Sequence, residues 1–289
     1  MNYLMYLFCM LVWGLNFIAV KIQGNSVSLE VALLYRSIIA LLLFLTLLTF
    51  FYKSVNLKNI NFLSAIGFGL CNFTISYLLL YYGTFYSSAA IVTLIFSMKA
   101  ILTPIFISIG FRTKIPKKIY FGGLLGLLSV FIIIYPDLHN LPQQFFIGVL
   151  FATLGTVVTS IGDVFSAYNS KKNMNPITAN VIGMFAAVVF LLIYTLIKGN
   201  DYQIPTQINF WVGLIYLSIF ASFLAWLFYL KLINNIGASE SGYMVAMFPA
   251  IGGIASVILG ESQISINLVL GVILACTGAY LALRNPDST

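Results

Sequence analysis

The chain has 289 residues, 61% of them hydrophobic and only 7% charged, and that much apolar surface cannot be hidden inside one soluble core. Repeated apolar stretches of about 18 to 25 residues are each long enough to cross roughly 30 Å of hydrocarbon as a helix satisfying its own backbone, and the alternation of a membrane β-barrel is absent. The net charge of +7 calls for no nucleic-acid partner, because basic loops facing anionic lipid account for it.

Charged and Pro-, Gly- or Asn-rich breaks predict ten helices, at about 3–21, 30–51, 62–83, 86–110, 118–135, 144–168, 177–197, 209–230, 239–259 and 265–284. The expectation is an all-α integral membrane protein with no extramembrane domain. The opening "MNY" carries no basic residue and no A-x-A-like site follows, so the first run reads as a retained helix rather than a signal peptide. In it Trp13 and Asn16 share a face at spacing three, as candidate substrate contacts or as packing. Arg36 lies about two turns into the second run with Glu30 before it. That order suits a structural or interfacial charge pair, with substrate contact as the rival role. The third run places Asn72 and Ser76 on one face at spacing four.

The fourth run, YSSAAIVTLIFSMKAILTPIFISIG from Tyr86 to Gly110, is free of charge except for Lys99. A charge near the bilayer centre costs roughly 2.5 to 3.5 kcal/mol on insertion scales, so it calls for a partner or a wet cavity. From about the middle of a helix, a side chain of about 6 Å does not reach either interface by snorkelling. Lys99 is therefore read as the cation for a substrate carboxylate or phosphate, or as half of a structural ion pair. Pro104 is expected to interrupt the helical ladder a turn and a half later, freeing backbone groups for a cavity.

In the sixth run Asp163 continues a face of Thr153, Thr156, Thr159 and Ser160, which reads as a cavity wall or as polar packing between helices. Asp163 can pair with Lys99, meet a cationic group of the substrate, or carry a coupling proton. Trp226 in the eighth run suits a cavity or an interfacial belt. In the ninth, Tyr243 and Met247 share a face at spacing four, and Glu240 and Glu261 mark the two ends as structural or gating residues. Gly122, Gly126, Gly271 and Gly278 give the fifth and tenth runs small faces for close packing, within a monomer or in a homodimer.

Enzyme signatures are thin. Cys9, Cys71 and Cys276 sit in apolar runs without CxxC spacing, and the single His139 lies between Pro136 and Pro142. HExxH, GxSxG and GK[ST] motifs are missing, so neither a metal, a cofactor nor ATP drive is expected of this chain. A lipid enzyme would need His with Asp at an interface, and a scaffold would need longer loops than gaps of about a dozen residues.

With a cytoplasmic N-terminus, inside segments hold Lys53, Lys58, Arg112, Lys114, Lys117, Lys118, Lys171, Lys172, Lys231 and Arg284, against Lys21 and Lys198 outside. That bias predicts both termini in the cytoplasm, in the inner membrane of a bacterium. The breaks also suggest two halves, 1–140 and 141–289, of five helices each. Sliding the chain by 149 residues sets "GGLLGLLSVFIIIY" over "GVILACTGAYLALR", Ser88-Ala89 over Gly237-Ala238 and Arg112 over Glu261. Because five is odd, the second half must enter the membrane in the opposite sense, the architecture of alternating-access carriers.

"WGLNFIAVKI" (13–22), Arg36 and "GASESGYMVAMFPAIGGIASVILGE" (237–261) resemble the drug/metabolite transporter superfamily, most closely its EamA-like branch. The resemblance covers almost the whole chain and implies a solute carrier of ten helices. The first half departs from the pattern: Arg112 replaces the acidic residue expected after the fourth helix, and the proline is displaced to Pro104 with Lys99 near its usual place. The lysine helix also looks like the nucleotide-sugar transporter branch. The expected function is secondary transport of a small polar metabolite, an amino acid or related amphoteric solute, with protons as a candidate coupling ion. The alternative is a carrier for a phosphorylated or nucleotide-linked anion.

Overall fold

The computed structural model describes residues 1–51, 60–114, 117–135, 142–258, 260 and 263–283. Glu261, His139, Lys53, Lys58 and Arg284 lie outside them, and Glu240 and Tyr243 are described through their backbone alone. In chain order the helices are α1 (Asn2–Gly14), α2 (Asn16–Gln23), α3 (Leu29–Phe51), α4 (Phe62–Gly69), α5 (Ser76–Tyr86), α6 (Ala89–Ser97), α7 (Lys99–Gly110) and α8 (Lys117–Ile134). They continue as α9 (Gln143–Lys171), α10 (Pro176–Lys198), α11 (Ile208–Ile215), α12 (Ala225–Ile236), α13 (Ala238–Gly242), α14 (Phe248–Ile258) and α15 (Ile266–Leu283). No strand occurs among the described residues.

Six segments are long and apolar enough to cross a membrane: Leu29–Phe50, Phe62–Tyr86, Ala89–Gly110, Gln143–Lys171, Pro176–Lys198 and Ile208–Ile236. The pair α1 and α2, bent by 41° at Leu15, makes a seventh when taken as one span, and three further apolar helices are shorter. Local signals place the ends. Asn61 and Ser88 accept from the third backbone amide after them and cap α4 and α6. Asn175 caps α10 ahead of Pro176 in its first turn, and Gly199 closes it in the left-handed region at φ 69°.

The long segments are not uniform. A π-helical stretch, Leu70–Ile75, joins α4 to α5, and a second, Tyr216–Leu224, joins α11 to α12. A 3₁₀ stretch, Tyr243–Met247, joins α13 to α14. The break in the fourth apolar run comes at Met98, before Lys99, and not after it as Pro104 suggested. A proline ring presses on the carbonyl four residues back, here Ala100, so the distortion falls on its N-terminal side. Around Met98 the ladder tightens to bonds three residues apart, from Met98 N to Ile95 O at 3.0 Å and from Ile101 N to Met98 O at 2.9 Å.

Helix α8 packs along α15, α3 along α10, α5 along α9 and α1 along α12. The glycines of α8 and α15 meet within the chain. A Cβ on Gly278 would fall 2.9 Å from the Gly122 carbonyl oxygen, and one on Gly271 would fall 3.0 Å from that of Ser129. Large apolar side chains such as Leu4, Leu127, Phe185 and Ile197 face outward, the surface a bilayer requires. Moved on by 149 residues, α8 falls on α15, the break at Met98 falls on Met247 just ahead of α14, and Leu70–Ile75 falls inside Tyr216–Leu224.

Candidate functional site

Because the helix restarts after Met98, Lys99 becomes the first residue of α7 and is 3% exposed. Its Nζ lies 3.1 Å from Oδ2 of Asp163, which is fully buried on α9. One turn along α7, the Thr103 hydroxyl donates to the same oxygen at 2.7 Å. The ammonium also sits over the rings of Tyr229, Phe96 and Trp226 at 5.4, 5.7 and 5.9 Å, an aromatic lining that favours a desolvated cation. Among the described residues nothing bonds to the second oxygen of Asp163 or to the Tyr229 hydroxyl.

A cavity of about 20 Å³ adjoins the pair, room for roughly one water. Trp13, Asn16, Tyr77, Lys99, Thr159 and Trp226 line it, with Phe17, Leu80 and Phe96. The indole of Trp226 donates to the Tyr77 hydroxyl at 2.7 Å, a contact between positions 149 residues apart. Trp13 donates to the Ala221 carbonyl at 2.9 Å, inside the π-helical stretch whose altered ladder offers side chains a place. Trp13, Phe68, Phe73, Trp226 and Tyr229 pack edge to face, with centroids 4.9 to 5.6 Å apart.

Four predicted substrate contacts, Trp13, Asn16, Lys99 and Trp226, therefore converge on one cavity. Asn72 reaches it indirectly, its carbonyl oxygen accepting from Thr159 at 2.6 Å. Ser76 does not reach it, because its hydroxyl turns back to the Asn72 carbonyl of its own helix. Met247 is 45% exposed and lies outside the cavity lining. Spacing four selects one face only in an α-helix, and Met247 ends a 3₁₀ stretch of three residues per turn, which rotates it away. The polar face of α9 is also less wet than expected. Thr153 and Thr156 line a separate, mostly apolar recess of about 740 Å³ with Met98, Ile101 and Tyr120, and Thr156 and Ser160 bond back to their own helix.

Glu30 and Arg36 do not pair with each other. Glu30 is held by Lys198 at the end of α10 and by the Tyr82 hydroxyl. Arg36, fully buried, donates through Nε to Ser222 at 2.7 Å, and through Nη2 and Nη1 to Asn16 at 3.3 Å and Tyr81 at 3.4 Å. Its guanidinium lies 4.3 Å from the centre of the Tyr77 ring. Beyond Tyr81 a recess of about 230 Å³ is lined by Lys21, Gly24, Asn25, Leu29 and Thr84. Tyr77, Tyr81, Phe17, Phe96 and Gln23 were not foreseen, since an aromatic or amide in an apolar helix looks like packing. The displacement of 149 residues pairs Tyr77 with Trp226 and was the signal available for it.

A model of the EamA-like transporter family matches residues 1–135 and 146–284. The chain is 23% identical to a Bacillus subtilis (strain 168) protein named Uncharacterized transporter YoaV, over 94% of this chain and 92% of the other. A solved structure described only as "Crystal structure of protein" superposes with a TM-score of 0.71, over 97% of this chain and 96% of its own, at 16% identity. That last likeness is one of fold.

Proposed function

Since the chain belongs to the EamA-like transporter family and is thus a membrane transporter of the drug/metabolite type, we propose that it is a secondary transporter of a small polar metabolite, an amino acid or related amphoteric solute, working by alternating access. The observation that carries the reading is the Lys99–Asp163 pair buried beside a cavity between residues of both halves of the chain. Two opposite charges that neutralise each other can separate when Asp163 takes the cationic end of an amphoteric solute or a coupling proton, which frees Lys99 to help neutralise an anionic group.

In this reading residues 1–140 and 141–289 are inverted halves of five helices each. The recurrence of breaks and boundaries after 149 residues supports it, as does the contact of Tyr77 with Trp226, because a residue that touches its own counterpart lies on the axis relating the halves. The excess of basic residues in alternate loops supports a bacterial cytoplasmic membrane with both termini inside. The wider recess beside Lys21 then faces outward, and the aromatic cluster around Trp226 closes the way inward.

A thermal-shift screen of purified wild type and Lys99→Ala against a metabolite panel tests the proposal, followed by uptake of the stabilising solute into liposomes. Lys99→Ala is expected to remain monodisperse and to lose both the stabilisation and the uptake. Normal uptake by that variant would remove the assigned role.

A further inference from the structure

We propose that Arg36, with Tyr81, Gln23 and Asn16, forms the subsite that receives the carboxylate of the transported solute. The inference rests on the transporter reading and deepens it by naming the residue that recognises the solute's anionic end. It starts from charge. Among the described residues the buried ionised side chains are Glu30, Arg36, Lys99 and Asp163. Glu30 is neutralised by Lys198 and Asp163 by Lys99. Among the described residues Arg36 meets only neutral groups, the oxygens of Ser222, Asn16 and Tyr81 and the face of the Tyr77 ring. A guanidinium stays protonated even when desolvated, so a fully buried one without a counter-charge is held at a large cost.

The hydrogen bonds divide into an anchor and two loose contacts. Nε is fixed to Ser222 at 2.7 Å, whereas the terminal nitrogens reach Asn16 and Tyr81 only at 3.3 and 3.4 Å. Those two nitrogens form the end of the fork that takes a carboxylate bidentately, and a charged acceptor there outcompetes long bonds to neutral ones. A second donor waits beside them. Gln23 is 2% exposed, its carbonyl oxygen accepts from Tyr81 at 3.4 Å, and among the described residues nothing accepts from its Nε2.

The location fits a solute's path. Asn16 and Tyr77, both against Arg36, line the central cavity, and Tyr81 lines the outer recess. Tyr81 thus stands between recess and guanidinium, and a solute enters by displacing its long hydrogen bonds. A single uncompensated positive charge matches a carboxylate rather than a doubly charged phosphate. Lys99 keeps Asp163 as its partner until the solute's other end arrives.

The test uses the full-length protein and matched probes: alanine, alaninamide, ethylamine and propionate, with phenylalanine, phenylalaninamide, phenethylamine and 3-phenylpropionate. The readout is the melting temperature as a function of probe concentration for wild type, Arg36→Lys and Gln23→Glu. The expected result is stabilisation by carboxylate-bearing probes and none by the amides and amines. Arg36→Lys should weaken that response at least tenfold, since it keeps the charge and loses the fork. Gln23→Glu places a carboxylate beside the guanidinium, so it should raise the ligand-free melting temperature and abolish the response. If Arg36→Lys does not yield monodisperse protein, Gln23→Glu decides alone, because it leaves Arg36 intact. Equal stabilisation by amides and amines, or an undiminished carboxylate response in the folded variants, overturns the subsite and leaves the transporter reading standing. No stabilisation of wild type by any probe overturns the amphoteric-solute reading and the subsite with it.

Discussion

Where α7 crosses α9, Lys99 and Thr103 converge on the buried carboxylate of Asp163. Displaced by 149 residues, on for Lys99 and Thr103 and back for Asp163, the same positions are Phe248, Gly252 and Gly14, where α14 crosses α1 without a charge. There the helices approach so closely that a Cβ on Gly14 would lie 2.7 Å from Ile251 Cγ2, while Phe248 stacks on Phe96 at 6.0 Å. The second crossing shows that glycine and apolar packing suffice to close such a contact. A buried ion pair is no more stabilising than well-packed apolar residues of similar volume and is often less so. In the proposed reading the charges of the first crossing act on a solute or a proton, and the two crossings can be played against each other.

The largest effect is expected for Lys99→Ala, which leaves Asp163 charged and unpartnered in the interior. It should cost about 3 to 5 kcal/mol of stability and abolish uptake in liposomes. The double variant Lys99→Met with Asp163→Ala converts the first crossing to the chemistry of the second. Its melting temperature should return to the wild-type range while uptake stays absent. Uptake by the double variant would show the pair to be structural after all. Asp163→Asn should keep solute exchange between equal concentrations and lose accumulation driven by a pH gradient, and an unchanged pH-gradient dependence would remove Asp163 as the coupling site.

How much of this was legible in the sequence depends on what kind of residue carries it. Lys99 and Asp163 stand out because a charge in an apolar run has an insertion cost that only function or pairing offsets. Their pairing was one of several roles the sequence left open, because it depends on the crossing of α7 with α9, and no spacing rule reports a crossing angle. Glu30 and Arg36 share a helix, and proximity in sequence suggested a pair that geometry divides, sending Glu30 to Lys198 and Arg36 inward. Asn61, Asn175 and Gly199 lie at helix ends close to the predicted ones, whereas the fourth run was read from Tyr86 and its helix starts at Ala89, capped by Ser88. The breaks at Leu15 and Met98 and the π-helical stretches carry no local residue signal apart from Pro104, and Met247 lies outside the cavity lining because it ends a 3₁₀ stretch.

The second crossing can be broken from its own side. Gly14→Ala puts a methyl group against Ile251 and should cost about 1 to 3 kcal/mol by overpacking. Ile251→Ala in the same chain should restore part of the loss by making room, as read from melting temperatures of the single and double variants. The same glycine substitution having no effect would mean that α1 and α14 separate freely, and the close approach would then explain nothing about the absence of charge there.

The smallest effect is expected at Thr103, whose counterpart Gly252 has no side chain at all. Thr103→Val keeps the shape and removes the donor to Asp163 Oδ2, but Lys99 still meets that oxygen, so the loss should be about 1 kcal/mol. In the background of Lys99→Met with Asp163→Ala the same substitution should cost nothing, since the hydroxyl no longer has a carboxylate to serve. The difference between the two backgrounds measures the coupling of Thr103 to the pair. An equal cost in both would assign Thr103 to packing of α7 and leave the polar crossing as a charge pair without a hydroxyl in its service.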